Sequence, residues 1–507
     1  MKTIEFQYEV IDEIWSEYPR PQLVTVNPQT FYNFCKEAGE NNEISYNEAI
    51  RNLDKVLPEN VFFSVRSSIN ALHRYSSDLF PAFRELLPVF LTNEWSALTG
   101  IGNKFFRDHI MHQIQTAAVV KKLLLEMIFP IDYVAEKLEM PIPPKIMTGD
   151  TCRLLDVCAF IMLRKPTTGT SHRKTRGATF IHNYAHILGL NNYFIQGDAN
   201  EQRAFERWRE TIYVTAITAA CYHDMGYMFS FAGSILRPLL PFGKFSKAGC
   251  FDAEYIQRTS SNALFMHNFT GTYDWHTHPG TQLNSIELQQ IIQFACDKSH
   301  GLHTAHAFVY LNDILRDRDK PLKPWAQLVI QWAASAMLMH DLQGVREDVK
   351  NKINGKGKSL YKDNYLRVAL MEDPVSFVLT LADQIQAYNR YSTYGKRDGK
   401  KTNLYFESHI QKVELQYYLL RGGEQKQKRK RSTVESSKQK QKYKWFISQM
   451  GLSYVFCKEP PNRYEVTKTL HEKDFFESTK KNYFDEKSGY LYPGELFRIN
   501  KLGEKRS

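Results

Sequence analysis

The stretch AACYHDMGY, residues 219–227, ends a run of small and apolar residues on a histidine beside an aspartate. Upstream, WRETIYVTAITAACYHD (208–224) repeats its apolar positions at a helical period, so the doublet stands where a buried helix stops. Both side chains are metal-competent. Whether they act as such depends on partners elsewhere in the chain.

The same period runs from about residue 101 to 395. HQIQTAAVVKKLLLEMIF, SIELQQIIQFACDKSH, TAHAFVYLNDILRD, WAQLVIQWAASAMLMHD and PVSFVLTLADQIQAYNRY all read as amphipathic or buried helices. Asp373 before Pro374 has the form of an N-cap followed by proline in the first turn. Residues 1–100 carry weaker patterns punctuated by Pro and Asn and are read as an N-terminal helical extension. Within 101–395, residues from about 140 to 205 read as an insertion. After about 396, VELQYYLL and RYEVTKTL are rich in β-branched and aromatic residues and predict a small sheet. The expected fold is therefore mainly α, with a small β-containing C-terminal α+β region over 396–507.

A hydrophobic fraction of 43% with 13% aromatics suits a globular chain with a sizeable core. The longest apolar runs are broken by Gln, His and Asp, which argues for buried rather than membrane-spanning helices. The opening MKTIEFQYEVIDEIW has acids where a signal peptide needs an apolar core, and the seven cysteines form no CxxC pair. A cytoplasmic protein with reduced thiols is expected. The net charge of +11 is local: Arg421–Lys444 holds ten Lys or Arg against two Glu, a net +8 that leaves only +3 elsewhere. That tract, almost free of apolar residues, predicts a mobile loop. Three roles stay open for it: a solvated loop, a contact with nucleic acid or nucleotide polyphosphate, or a regulatory arm. A base-stacking platform is not evident there.

Several helix-like segments carry a metal-competent residue in or beside an apolar run. They are His112 in RDHIMHQIQ, His223 and Asp224 in CYHDMGY, His300 in DKSHGLHTAH, His340 in MLMHDLQG and Asp383 in LTLADQIQAYNR. An unpaired polar group in such a place costs roughly 1–3 kcal/mol. Several together are better explained by a shared divalent cation, which takes imidazoles and carboxylates from rigid elements.

In order along the chain, RDHIMHQIQ, HDMGY, SHGLHTA and LADQIQ together resemble the HD-domain superfamily of metal-dependent phosphohydrolases, in particular bacterial HD proteins with RDHxxH, HDxGY, HG and LADxxQ phrases. The resemblance covers about residues 100–395. It implies an all-helical domain holding one or two divalent ions (Mn, Fe, Mg, Co, Ni or Zn), with His112, His223, Asp224 and Asp383 on the first. It further implies His300 and His340 on the second, and Asp224 bridging the two ions. Asp224 and His300 would be the catalytic residues, and Arg107, His109, His303 and Arg390 would meet the substrate. The implied activity is hydrolysis of a nucleotide phosphate ester or anhydride, of the nucleotidase, deoxynucleoside triphosphohydrolase or cyclic-nucleotide phosphodiesterase type.

One departure is the 111-residue spacing from His112 to His223, which contains His182 and His186 on one helix face. His182 offers a second reading of the first ligand; His112 is preferred because Arg107, Asp108 and Gln115 accompany it. Asp341 makes MHDL a second doublet and could cap a helix or reach a substrate hydroxyl through water. WHTHPG (275–280) reads as a loop, either a plain turn or a cover over the site that lends a histidine to the substrate. A nucleotide-sensing or nucleic-acid-binding HD protein, or a nuclease, with a role in phage defence, is the alternative. A homo-oligomer is compatible with either.

Overall fold

The computed structural model describes residues 2–7, 105–107, 109–138, 149–163, 176–194, 201–227, 229, 251–269, 289, 292–293, 295–297, 299–314, 322–341, 368, 370–386, 391–394, 403–406, 410–418, 449–456, 484–485 and 490–491. Within them the fold is mainly α, as the periodicity predicts. The principal helices are α1 (His109–Glu126), α2 (Ile131–Leu138), α3 (Leu154–Leu163), α4 (Arg176–Ile187), α5 (Glu201–Tyr222), α6 (Ala253–Ser260), α7 (His300–Ile314), α8 (Pro324–Met339) and α9 (Pro374–Ile385).

Helix α5 is the hub, with α1, α3, α8 and α9 packed around it. Its second half, TAITAACY, is entirely buried, and its Ala, Thr and Cys side chains are small enough to let neighbours approach closely. The threonines there donate back along the helix, Thr215 to the Thr211 carbonyl at 2.6 Å and Thr218 to Val214 at 2.7 Å, so both threonine hydroxyls are satisfied within the helix. Helix α9 starts as its sequence predicts. Asp373 accepts from the Ser376 amide at 3.2 Å, and Pro374 occupies the first turn. The same carboxylate accepts from Trp332 Nε1 at 3.0 Å and thereby ties α9 to α8.

Helix α3 falls within the segment read as an insertion, about 140–205; every residue of α3 is buried, and it packs on α5 and α1. Its LLDVCAFIML is apolar on all sides, which marks a helix enclosed by the core.

The strands are β1 (Lys2–Gln7), β2 (Phe105–Arg107), β3 (Ile128–Pro130), β4 (Thr151–Arg153), β5 (Tyr391–Tyr394), β6 (Asn403–Phe406), β7 (Ile410–Tyr418), β8 (Gln449–Phe456), β9 (Phe484–Asp485) and β10 (Tyr490–Leu491). Antiparallel pairing of β2 with β5 fastens the chain just before α1 to the chain just after α9. The predicted C-terminal sheet forms with different partners. VELQYY lies in β7, RYEVTKTL falls outside the described residues, and β7 is flanked by β8 and β1. Residues 2–7, expected to be helical, are thus the edge strand of a C-terminal sheet; the rest of 1–100 lies outside the described residues. Alternation explains the strand: Ile4 and Phe6 are buried opposite Leu415 and Val413, with Lys2, Thr3, Glu5 and Gln7 exposed between and beside them. Tyr417 fixes this sheet to the helical core by accepting from the Ile128 amide at 3.0 Å. The basic tract 421–444 lies outside the described residues.

Candidate metal centre

Five helices deliver the candidate ligands, each at or near a helix end. His112 is on the first turns of α1, His300 is the first residue of α7, and Asp383 is near the end of α9. Both doublets follow a helix: His223-Asp224 comes directly after α5, and His340-Asp341 directly after α8. In each doublet the histidine Nδ1 donates to the carbonyl three residues back, Ala220 for His223 (2.8 Å) and Met337 for His340. The imidazole thus satisfies a last-turn carbonyl while its Nε2 is aimed away from the helix.

These atoms converge. His112 Nε2 lies 3.2 Å from His223 Nε2, 2.9 Å from Asp383 Oδ1 and 3.7 Å from Asp224 Oδ2. His223 Nε2 is 3.4 Å from both Asp224 Oδ1 and Asp383 Oδ1. On the other side of Asp224, its Oδ1 is 3.1 Å from His300 Nε2 and 3.9 Å from His340 Nε2. Two groups able to hold a metal ion result, His112–His223–Asp224 and Asp224–His300–His340, with Asp224 common to both. Asp383 adjoins the first.

The outer contacts of the four imidazoles follow one rule. His112 Nδ1 meets Gln386 Oε1, His223 Nδ1 meets the Ala220 carbonyl, His300 Nδ1 lies 2.7 Å from Asp341 Oδ2, and His340 Nδ1 meets the Met337 carbonyl. With the neutral-ring proton committed to Nδ1, every Nε2 lone pair faces inward. Inward-facing lone pairs only 3.2 Å apart, with carboxylate oxygens beside them, repel one another unless a cation or protons occupy the space between. The donor set therefore fits a divalent metal, and the outer hydrogen bonds are those that orient metal-binding histidines.

Two glycines allow this convergence. A Cβ at Gly226 would stand 2.1 Å from the His300 carbonyl oxygen, and one at Gly301 would stand 2.7 Å from that of Met337. Gly226 lets the turn after α5 touch α7, where its amide donates to Thr304 Oγ1 at 2.7 Å. Gly301 lets α7 touch α8. Asp341 accepts from the Gly301 amide at 3.2 Å and Ser299 Oγ at 3.1 Å, so it caps α7 as well as holding His300.

Charge reinforces the geometry. Burial opposes ionisation of Asp224, but His223, His300 and His112 outweigh it and hold its carboxyl well below the usual carboxylate range. Burial opposes ionisation of Asp383 too; His112 and His223 depress it in the same way. Burial works against a charged His300, yet Asp341 chiefly, with Tyr227 and Asp224, keeps its pKa well above 6.5. Against the same penalty Asp224 and Asp383 raise His223. His340 goes the other way: burial, then His223 and His300, push it down to about 4.

No protein-family model, curated protein or solved structure matches the chain. The chemistry of the site is legible only in its own donor set.

The other expected site residues are distributed as follows. His109 is partly exposed, its ring 4.7 Å from that of Tyr227, which stacks on His300 at 4.1 Å. His303 is fully buried, with Nε2 on the Cys296 carbonyl at 2.8 Å and Phe251 beside its ring. Its imidazole is taken up by that carbonyl and it belongs to neither metal-competent group. The alternative ligand His182 packs edge-on against Trp208 at 5.3 Å on α4, apart from both metal-competent groups. Arg107 is described only as the end of β2, paired with Ser392. Arg390 and WHTHPG lie outside the described residues.

Three residues with evident roles were not singled out as site residues. Asp341 and Gln386 orient histidines, and Tyr227 covers the face of one. Asp341 was signalled by the second doublet and Gln386 by the last letter of LADQIQ. Tyr227 followed the first doublet, but nothing in spacing alone revealed its stacking partner.

Proposed function

We propose that the chain is a metal-dependent phosphohydrolase of the HD type that hydrolyses a phosphate ester or anhydride of a nucleotide. The observation that carries this is the uniform orientation of His112, His223, His300 and His340. Each Nδ1 is held from outside and each Nε2 turned toward the Asp224 or Asp383 carboxylates. The ordered phrases RDHIMHQIQ, HDMGY, SHGLHTA and LADQIQ support the superfamily assignment, and the nucleotide class rests on that resemblance alone.

His112, His223, Asp224 and Asp383 would hold one divalent ion, and Asp224, His300 and His340 a second. When bound, such ions supply Lewis acidity toward phosphoryl oxygens and an attacking water whose pKa is brought near neutrality. The protein's own residues do the rest. Asp224 spans the two groups and sets their separation. Asp341 fixes the His300 ring through Nδ1 and is itself fixed by Ser299 and Gly301, so the pair does not rotate away. His109, partly exposed beside Tyr227, would donate a hydrogen bond or proton to a leaving oxygen.

The test is elemental analysis of purified protein, combined with a nucleotide panel scored for released phosphate, pyrophosphate, triphosphate or nucleoside. Bound transition metal and one nucleotide class turned over are the expected result. Metal-free protein that neither binds added Mn, Fe, Co, Ni or Zn nor turns over any nucleotide would end the proposal.

A second reading is favoured by Arg421–Lys444, whose net +8 is concentrated in one segment. Here the helical scaffold senses nucleotides or binds nucleic acid, or is a nuclease acting on it. Deleting 421–444 separates the readings. Turnover of small nucleotides that survives while salt-sensitive binding of long nucleic acid disappears makes the tract an accessory.

A further inference from the structure

The four histidines are not equally anchored. His112, His223 and His340 are buried to within a few per cent of full enclosure, at 1%, 0% and 4% exposure. His223 and His340 are additionally held by a carbonyl of their own helix, three residues back. His300 has neither advantage. It opens α7, so no preceding turn of its helix lies over it, and 14% of its side chain is exposed. Its Nδ1 rests on a side chain, Asp341, that is itself 24% exposed. One contact along an axis fixes a point on a ring but not the ring's plane.

The plane is set by Tyr227. Its ring lies 4.1 Å from that of His300 with 22° between the planes, a stacked arrangement that covers one face of the imidazole. Tyr227 can stand there because it is three residues past Asp224, in the turn after α5 that Gly226 holds against α7. The tyrosine amide donates to the Asp224 carbonyl at 3.1 Å, so the turn that presents the shared carboxylate also presents the stacking ring.

We propose that Tyr227 is a positioning residue: by stacking on His300 it holds that imidazole in the plane from which Nε2 addresses Asp224, and so governs whether the Asp224–His300–His340 group can retain a cation. This rests on the reading that both groups bind divalent ions. The ring, not the phenol hydroxyl, does the work, so phenylalanine should substitute. The stacked ring lies on a ligand of the Asp224–His300–His340 group, so its loss should fall on that group and leave the ion at His112–His223–Asp224 in place. A residue with a merely structural role would affect both groups together through unfolding.

The experiment counts bound Mn or Zn in full-length protein after dialysis, for wild type, Tyr227→Phe, Tyr227→Leu and Tyr227→Met, with circular dichroism to check folding. Two equivalents are expected for wild type and Tyr227→Phe. One is expected for Tyr227→Leu and Tyr227→Met at unchanged helix content, with the lost equivalent regained only at raised metal concentration. Tyr227→Met decides if Tyr227→Leu does not fold. A folded Leu or Met variant with two tight equivalents, or a Phe variant with one, overturns the inference. Wild-type protein that takes up fewer than two overturns instead the two-ion reading beneath it.

Discussion

Asp383 Oδ1 stands 2.9 Å from His112 Nε2, although the two are 271 positions apart and come from the last and first helices of the core. The pairing of β2 with β5 immediately outside those helices makes this contact a closure of the whole helical unit. Opening that closure should therefore be felt first at the metal-competent group.

Asp224→Ala removes the carboxylate common to both groups. Binding of Mn or Zn should fall from two equivalents to none, and turnover to below about a hundredth of wild type, since losing even an outer partner of a metal ligand costs roughly 10–100-fold. Elemental analysis and a phosphate-release assay check this. Full activity in a folded Asp224→Ala protein is the outcome that sinks the metal assignment.

Asp341→Asn keeps the side-chain size but weakens the hold on His300. Affinity at the second group should drop by about 10–100-fold without loss of the first ion. Burial disfavours a charged His300 and Asp341 is the main force against it, so the His300 pKa in metal-free protein should fall as well. Imidazole NMR titration reads that shift directly, and an unmoved His300 resonance would show that Asp341 is not its electrostatic partner.

Stability of the metal-free chain should depend on pH in a defined sense. His300 and His223 have folded pKa values raised above 6.5, so their contribution is complete below pH 6.5 and is lost as pH rises through those values. Asp224, Asp341 and Asp383 are depressed below 3.8, so theirs is present above pH 3.8 and lost as pH falls through the folded values. His340, lowered to about 4, acts against the other histidines between pH 6.5 and 4. The melting temperature in chelator should decline as pH rises above 6.5, and saturating cation should suppress that decline because the bound imidazoles are neutral. A melting temperature in chelator that rises as pH goes above 6.5 contradicts it.

Gly226→Ala should cost about 1–3 kcal/mol or more, because the new methyl meets the His300 carbonyl at 2.1 Å, a backbone atom that cannot step aside without moving α7. The same variant should lose the second ion. Thermal melting with metal counting tests both, and a neutral effect would mean that α7 is free to shift.

Native cysteine labelling should be selective. Cys152 is pushed up to about 12 by burial and Asp156, and Cys158, Cys221 and Cys296 are driven further in the same direction by burial. All four are buried, so iodoacetamide followed by mass spectrometry should leave them unmodified until the protein is denatured.

Much of the helical core was legible because a 3.6-residue period survives wherever a helix has one buried side. Asp373-Pro374 was readable from local rules, and so were the doublets. What the pattern hid had non-local causes. The segment holding helix α3 reads as an insertion from the long His112-to-His223 spacing, and its burial against α5 and α1 depends on contacts that spacing does not reveal. KTIEFQ looked like the start of a helical region, since six residues cannot reveal that their partner is VELQYY more than four hundred positions later. His303 shares a helix with His300 and is grouped with it by sequence, although its imidazole is occupied by the Cys296 carbonyl, a contact that no spacing along the helix announces. The reach of Tyr227 across to α7 depended on Gly226, whose importance appears only once the close approach of the two backbones is seen.

Because Ile4 and Phe6 are buried beside Leu415 and Val413, β1 must wait for a partner that is synthesised some four hundred positions later. A nascent polypeptide would carry that sticky hexapeptide exposed until β7 is made, and shielding by a chaperone, or delayed compaction around β1, becomes part of how the molecule is made.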